Sequence, residues 1–141
     1  MTKRMELTVC RTIPATAEEV FSVWLNPNSP GGPWFGAERV ILNARVDGLF
    51  YHSVQHQGRA WAHYGRFIVL DPPHCIEHTW TSEATRGIES TVRLTLDAQS
   101  TGTLATLRHT NLPDDEMGRQ HEEGWTFVLG AIAARFETRL R

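Results

Sequence analysis

Residues 49–82 read LFYHSVQHQGRAWAHYGRFIVLDPPHCIEHTWTS, and the alternation inside this stretch decides the fold. Leu49 to His56, Arg59 to Leu70 and His74 to Ser82 are strand-like runs separated by Gln57-Gly58 and Asp71-Pro72-Pro73, both turn signals. A two-residue loop at Gln57-Gly58 pairs Val54 with Trp61 and His52 with His63, and sets Phe50 beside Gly65. A tight turn at Pro72-Pro73 pairs Phe67 with His78 and Val69 with Ile76. One face then carries Phe50, His52, Val54, Trp61, His63, Phe67, Val69, Ile76, His78 and Trp80. The other carries Tyr51, Ser53, Gln55, Arg66, Glu77 and Thr79. Successive strand residues point to opposite faces, so the first, less polar set is expected inward.

Upstream, Glu6 to Ile13 reads as a first strand ended by Pro14. Thr16-Ala17-Glu18-Glu19 is a capping box, in which hydroxyl and carboxylate each satisfy a free backbone N–H. Ala17, Val20, Phe21 and Trp24 follow at helical spacing, so a short helix runs to about Leu25, where Asn26-Pro27 stops it. A loop through Pro30-Gly31-Gly32-Pro33 ends in Trp34-Phe35-Gly36. Val40 to Val46 is a strand closing on the hairpin dipeptide Asp47-Gly48. Downstream, Ile88 to Asp97 and Thr103 to Thr110 complete seven strands, with Val92, Leu94, Leu96, Ala105, Leu107 and His109 on the inner face. Asp114 or Asp115 caps a final helix, and Met117, His121, Trp125, Val128, Leu129, Ile132, Phe136 and Leu140 share one broad face of it.

The expected fold is therefore α+β. A curved seven-stranded antiparallel sheet wraps on a long C-terminal helix, with a short helical segment after strand 1. The helix must bury its apolar stripe on one sheet face, and a twisting sheet that wide forms a cup that one helix does not fill. The expected ligand pocket is lined by Trp24, Phe35, Phe50, His52, Trp61, His63, Phe67, His78, Trp80, Leu94, Leu107, His109, Trp125 and Leu129.

Composition limits the partners. The 141 residues suit one domain, 1–141, since domains cluster at roughly 100–150 residues. A net charge of −2 without a long basic stretch gives no electrostatic footprint for nucleic acid. No apolar run approaches the roughly 20 residues of a membrane-spanning helix. The start, Met1 to Leu7, lacks the apolar core of a signal peptide. Cys10 and Cys75 suit reduced thiols, so the expected location is cytoplasmic, although one disulfide stays compatible with their spacing.

Four histidines, His52, His63, His78 and His109, fall on the expected inner face. Zinc needs about four converging donors, and only His52 and His63 are neighbours in these registers, so no metal and no cofactor are expected. The pairs His52/His56 and His74/His78 do not help, because strand spacing sets such residues about 13 Å apart. No nucleophile elbow or phosphate-binding glycine loop occurs, and neither cysteine has a base at a recognisable spacing; no catalytic set is expected. Asp114-Asp115-Glu116 reads as helix capping. Arg11, among Leu7, Val9 and Ile13, needs either a buried acid or an anionic ligand.

Taken in order, Arg11-Thr12-Ile13-Pro14-Ala15, Val20-Phe21, Trp24, Asn26-Pro27, Trp34-Phe35-Gly36, His63-x-Gly65, Asp71-Pro72-Pro73, Thr79-Trp80, Leu107-x-His109 and Gly124-Trp125 carry a likeness that spans nearly the whole chain. The sequence resembles the homologues of the activator of the ninety-kilodalton heat-shock chaperone's ATPase, within the START-like, helix-grip superfamily. The resemblance implies a single START-like ligand-binding domain. It departs from the family at Trp34-Phe35 (commonly two tryptophans), Asp47-Gly48 (often paired glycines) and Asn111 (usually glycine), and asparagine also tolerates a left-handed backbone. The leading expectation is a module that binds a small apolar, aromatic or lipid-like molecule in an internal cavity. The alternatives are a cyclase- or hydrolase-type enzyme using the inward histidines, and a protein that contacts a chaperone through its surface. The oligomeric state is not legible.

Overall fold

A computed structural model of the chain describes residues 3–28, 33, 34, 37 and 39–138, with His56 described by its backbone alone. Phe35, Gly36, Glu38, Arg139, Leu140 and Arg141 lie outside the described residues. The elements are β1 (Arg4–Ile13), α1 (Ala17–Leu25), β2 (Arg39–Leu42), β3 (Leu49–His56), β4 (Arg59–Asp71), β5 (Cys75–Ser82), β6 (Ser90–Gln99), β7 (Gly102–Pro113) and α2 (Glu116–Glu137), with a 3-10 turn at Glu83–Thr85. The strands form one sheet in the order β1-β7-β6-β5-β4-β3-β2, antiparallel throughout.

The local chemistry accounts for the punctuation. The Glu19 backbone N–H donates to Thr16 Oγ1 at 3.1 Å and the Thr16 N–H to Glu19 Oε1 at 2.9 Å, which is the expected capping box. Gln57 and Gly58 both have positive φ, 53° and 79°, as a two-residue type I′ turn demands, and its twist matches the flanking strands. Val54↔Trp61, His52↔His63 and Phe50↔Gly65 pair as expected. A side chain at Gly65 would put its Cβ 2.7 Å from the Phe50 ring, so this glycine is where Phe50 lies across β4. Asn111 takes a left-handed φ of 62°.

Two expectations change. β2 ends at Leu42 rather than Val46, because Asp47 and Gly48 do not close a hairpin on their own strand. The Asp47 N–H donates to the Phe67 carbonyl at 2.8 Å and the Phe67 N–H to the Gly48 carbonyl at 2.9 Å, one strand further over. This contact sits at a bulge between Phe67 and Val69. A bulge adds one residue and flips the alternation beyond it. Phe67↔His78 holds, but Val69 pairs with Glu77 and Leu70 with Ile76, so Leu70 rather than Val69 packs against the core.

α2 begins at Asp115, whose Oδ1 accepts from the Gly118 N–H at 2.9 Å. Trp125, Leu129, Ile132 and Phe136 are buried along its length. Its backbone lies chiefly on β1 and then on β7. Arg11 reaches along this helix, its guanidinium 3.8 Å from where a Cβ on Gly130 would stand, and pairs with Glu137 at 3.5 Å. The expected buried acid is thereby corrected: the partner is an acid of the same chain, both side chains are about half exposed, and such a pair contributes at most about 1 kcal/mol. Cys10 and Cys75 are free thiols. Among the described residues no helix is long and apolar enough to cross a membrane.

Candidate functional site

Because α2 rests on β1 and β7, the space between it and the β3–β5 wall is spanned by side chains. β3 supplies Phe50 and His52, β4 supplies His63 and Phe67, and β5 supplies His78 and Trp80. These are the inward positions of three adjacent strands. α1 adds Trp24, the following segment adds Trp34, and α2 adds Trp125. Trp24, Trp34 and His78 are at most 1% exposed. Trp34 meets Phe50 at 5.1 Å, His52 at 5.0 Å and His78 at 6.3 Å between ring centroids. Its indole N–H donates to the Trp24 carbonyl.

Within this cluster four rings close a circuit. Centroid separations run Trp24 to His78 6.5 Å, His78 to Trp80 6.2 Å, Trp80 to Trp125 5.0 Å and Trp125 to Trp24 5.8 Å. Next to it, His52 and His63 stack at 4.5 Å with their planes 14° apart. This stacking is the cross-strand contact that the His52↔His63 register creates.

The polar groups divide sharply. The Ser90 hydroxyl donates to the Trp80 carbonyl, so toward His109 Nε2, 2.7 Å away, it accepts. His109 Nε2 therefore carries the proton, and the bare Nδ1 accepts from the Trp125 indole N–H at 2.9 Å. That chain is complete. By contrast, Trp24 Nε1, Trp80 Nε1, His52 Nδ1, His63 Nδ1, His78 Nε2 and Ser82 Oγ are buried with no hydrogen-bond partner among the described residues. Ser82 faces His63 across the ladder. Buried polar atoms are nearly always paired, and each exception calls for an explanation, such as a bound water or ion, local strain or a functional role.

Electrostatics keeps the histidines neutral. Burial pushes His78 down to about 4. Burial first, then the charges that His63 and His78 would carry, takes His52 to about 3. Burial and then His121 take His63 to about 4. His109 falls to about 2, through burial, then His121 and His78, and protonation there would also set an N–H against the Trp125 N–H. His121, half-buried on α2, is lowered by burial too; its Nδ1–H donates to the Met117 carbonyl at 2.9 Å. Among the described residues no three His, Cys, Asp or Glu side chains gather as metal ligands would.

Of the expected lining residues, Trp24, Phe50, His52, His63, Phe67, His78, Trp80, His109 and Trp125 come together in this network. Leu94, Leu107 and Leu129 are buried in the adjoining core. Trp61 is half-buried near the β3–β4 turn, with the Arg59 guanidinium 3.9 Å over its ring. Phe35 lies outside the described residues. The lining list lacked Trp34, Ser82, Ser90 and His121. Trp34 and His121 were legible as an aromatic closing a loop and a residue on the apolar helix face. The two serines carry no such signal. An open surface groove of about 540 Å³ lies elsewhere, between Pro14–Glu19, Pro73 and the β6–β7 turn, and none of the expected lining residues borders it.

Comparison with known proteins follows the same outline. The family model described as "Activator of Hsp90 ATPase homolog 1-like protein" matches residues 14–137. No curated protein matches the chain. Among solved structures, a Chromobacterium violaceum protein is similar at 23% identity, with a TM-score of 0.78 over 94% of this chain and 96% of the other. A Rhodobacter sphaeroides protein matches at 18% identity and a TM-score of 0.78, over 98% of this chain and 99% of its own. The AHSA1-like protein of Aeromonas hydrophila, solved in solution, matches at 16% identity and a TM-score of 0.74, covering 96% and 94%. At these identities the likeness concerns the fold.

Proposed function

The chain belongs to the Activator of Hsp90 ATPase homolog 1-like family, and from that premise we propose that it is a START-like binding domain. It takes a small, neutral, apolar or aromatic molecule among the rings between α2 and the β3–β5 wall. The observation that carries this reading is the set of buried, unpartnered polar atoms on those rings. Apolar walls with a few polar groups awaiting a partner are what small-molecule sites require. A folded core with the same atoms and no ligand would bear a cost of about 1–3 kcal/mol for each unmade bond.

The same geometry argues for binding over acid–base chemistry. A general base works best with a pKa near the working pH. His52, His63 and His78 titrate far below neutrality, and the lone pair of His109 is already engaged by Trp125. Titration with neutral apolar probes, followed by intrinsic tryptophan fluorescence, tests the proposal. Saturable change is expected, and it should vanish in a Trp24→Ala, Trp80→Ala double variant that still melts cooperatively. Absence of any saturable response across alkyl, aromatic and acyl probes would sink it.

A second reading has its own observation. Ile41, Tyr51 and Tyr64 are successive cross-strand partners on the outer face of β2–β4. Ile41 and Tyr64 are each 52% exposed, and Leu49 on the same face is 64% exposed. The family description names a chaperone ATPase activator, and an apolar ladder of this kind fits contact with a protein surface. An Ile41→Ser, Tyr64→Ser variant separates the readings, because it should leave probe binding unchanged while abolishing any protein contact made through this face.

A further inference from the structure

The four-ring circuit specifies more than an apolar guest. His78 Nδ1 lies 2.9 Å from the Thr79 carbonyl, which can only accept, so Nδ1 carries the proton and Nε2 is a bare acceptor. The Trp125 N–H is spent on His109. Trp24 and Trp80, the remaining two members, each present an indole N–H with no partner among the described residues. His78 and Trp24 are fully buried and Trp80 is 7% exposed. Both indoles are direct ring neighbours of His78, at 6.5 and 6.2 Å. The circuit therefore holds two unused donors and one unused acceptor, all uncharged.

A hydroxyl is the complement of that set, with one O–H to donate and two lone pairs to accept. A carboxylate has no proton for His78 and would bring a charge into a neutral, buried site. An ammonium has no lone pair for the indoles. An ether or ketone would satisfy the tryptophans and leave His78 Nε2 unpaired. We infer that the ligand is a neutral hydroxylated molecule, a phenol or alcohol on an apolar body, whose O–H donates to His78 Nε2 while its oxygen accepts from Trp24 and Trp80. This inference rests on the binding reading above and narrows it.

The test is a matched series of 4-ethylphenol, 4-ethylanisole and 4-ethyltoluene titrated into the full chain, read by the indole and imidazole nitrogen signals in NMR. The phenol is expected to bind on the order of tenfold or more tighter than the ether, the loss typical of one buried unpaired acceptor. It should move the Trp24 and Trp80 indole signals and shift the His78 Nε2 nitrogen upfield. The preference for phenol over ether should shrink to within about twofold in His78→Phe. If that variant does not fold, the His78 Nε2 shift in the unaltered protein decides alone. Equal binding of phenol and ether, or a bound phenol that leaves His78 Nε2 unmoved, overturns the hydroxyl inference while the binding reading stands. If none of the three binds, the hydroxyl inference falls, and the binding reading falls with it if the alkyl and acyl probes give no saturable response either.

Discussion

Two histidine regions lie side by side on one sheet, β7 and β3–β5 with β6 between them, and they are built on opposite rules. On β7, His109 has both ring nitrogens engaged, by Ser90 and Trp125, and the chain ends on a backbone carbonyl. On β3–β5, His52, His63 and His78 each keep one buried nitrogen without a partner among the described residues. In both regions burial holds imidazole neutral. The first is finished by the protein's own groups; the second is not, and that difference separates scaffold from site.

The largest expected effect strikes both regions at once. His52, His78 and His109 have folded-state pKa values of about 3, 4 and 2, below the ordinary 6.5 they regain on unfolding. The unfolded chain therefore binds more protons between these values and pH 6.5, so stability is complete above about pH 6.5 and falls as pH drops. At pH 5 each contributes a loss of roughly 2 kcal/mol, so about 6 kcal/mol for the three, comparable with a domain's whole stability. Circular dichroism against pH should show cooperative unfolding near pH 5. A protein still folded at pH 4 would mean that the rings are hydrated or already paired with acids.

Next in size is Leu107→Ala, on the finished side. Leu107 is fully buried between Val9 and Leu94, and its truncation should cost about 2–5 kcal/mol in urea unfolding. A cost under 1 kcal/mol, with altered probe affinity instead, would place β7 on a true cavity and blur the comparison.

His109→Phe keeps the volume and removes both hydrogen bonds, leaving the Trp125 N–H and the Ser90 hydroxyl to find new partners. A loss of about 2 kcal/mol is expected. His52→Phe is the smallest effect and the sharpest contrast. It deletes a buried atom that has no partner, so the melting temperature should stay level or rise. If the two phenylalanine variants lose equal stability, the division between finished and unfinished regions is wrong.

Much of this was legible because one turn is unambiguous. Gln57-Gly58 fixed the β3–β4 register, and with it the stacked pair His52/His63 and the place of Phe50 over Gly65. Alternation then put His78 and Trp80 inward, and Leu107 and His109 too given a turn of about four residues before the last strand. Legibility failed where a partner lies far off in sequence. The bulge after Phe67 depends on Asp47 and Gly48 bonding across to β4, which no local pattern in 59–71 announces. Trp61 alternates inward with His63, yet it sits near the hairpin end, where Arg59 covers its ring. Ser90 is a one-oxygen residue at a strand start, and only the fold brings it to His109.

The strand order carries a consequence in time. β1 pairs only with β7, Arg4 opposite Pro113 and Ile13 opposite Thr103. Every contact of that ladder closes a loop of about ninety residues or more, and folding rates fall as contacts become more distant in sequence. The β2 to β7 meander can zip up from its own hairpins as it leaves the ribosome. β1, although synthesised before any of them, has no neighbour to join until β7 begins to emerge at about residue 103, and completes its ladder only with residue 113. Through that interval Leu7, Val9 and Ile13 remain an uncovered apolar edge, so the strand made before the other six is the one most in need of protection.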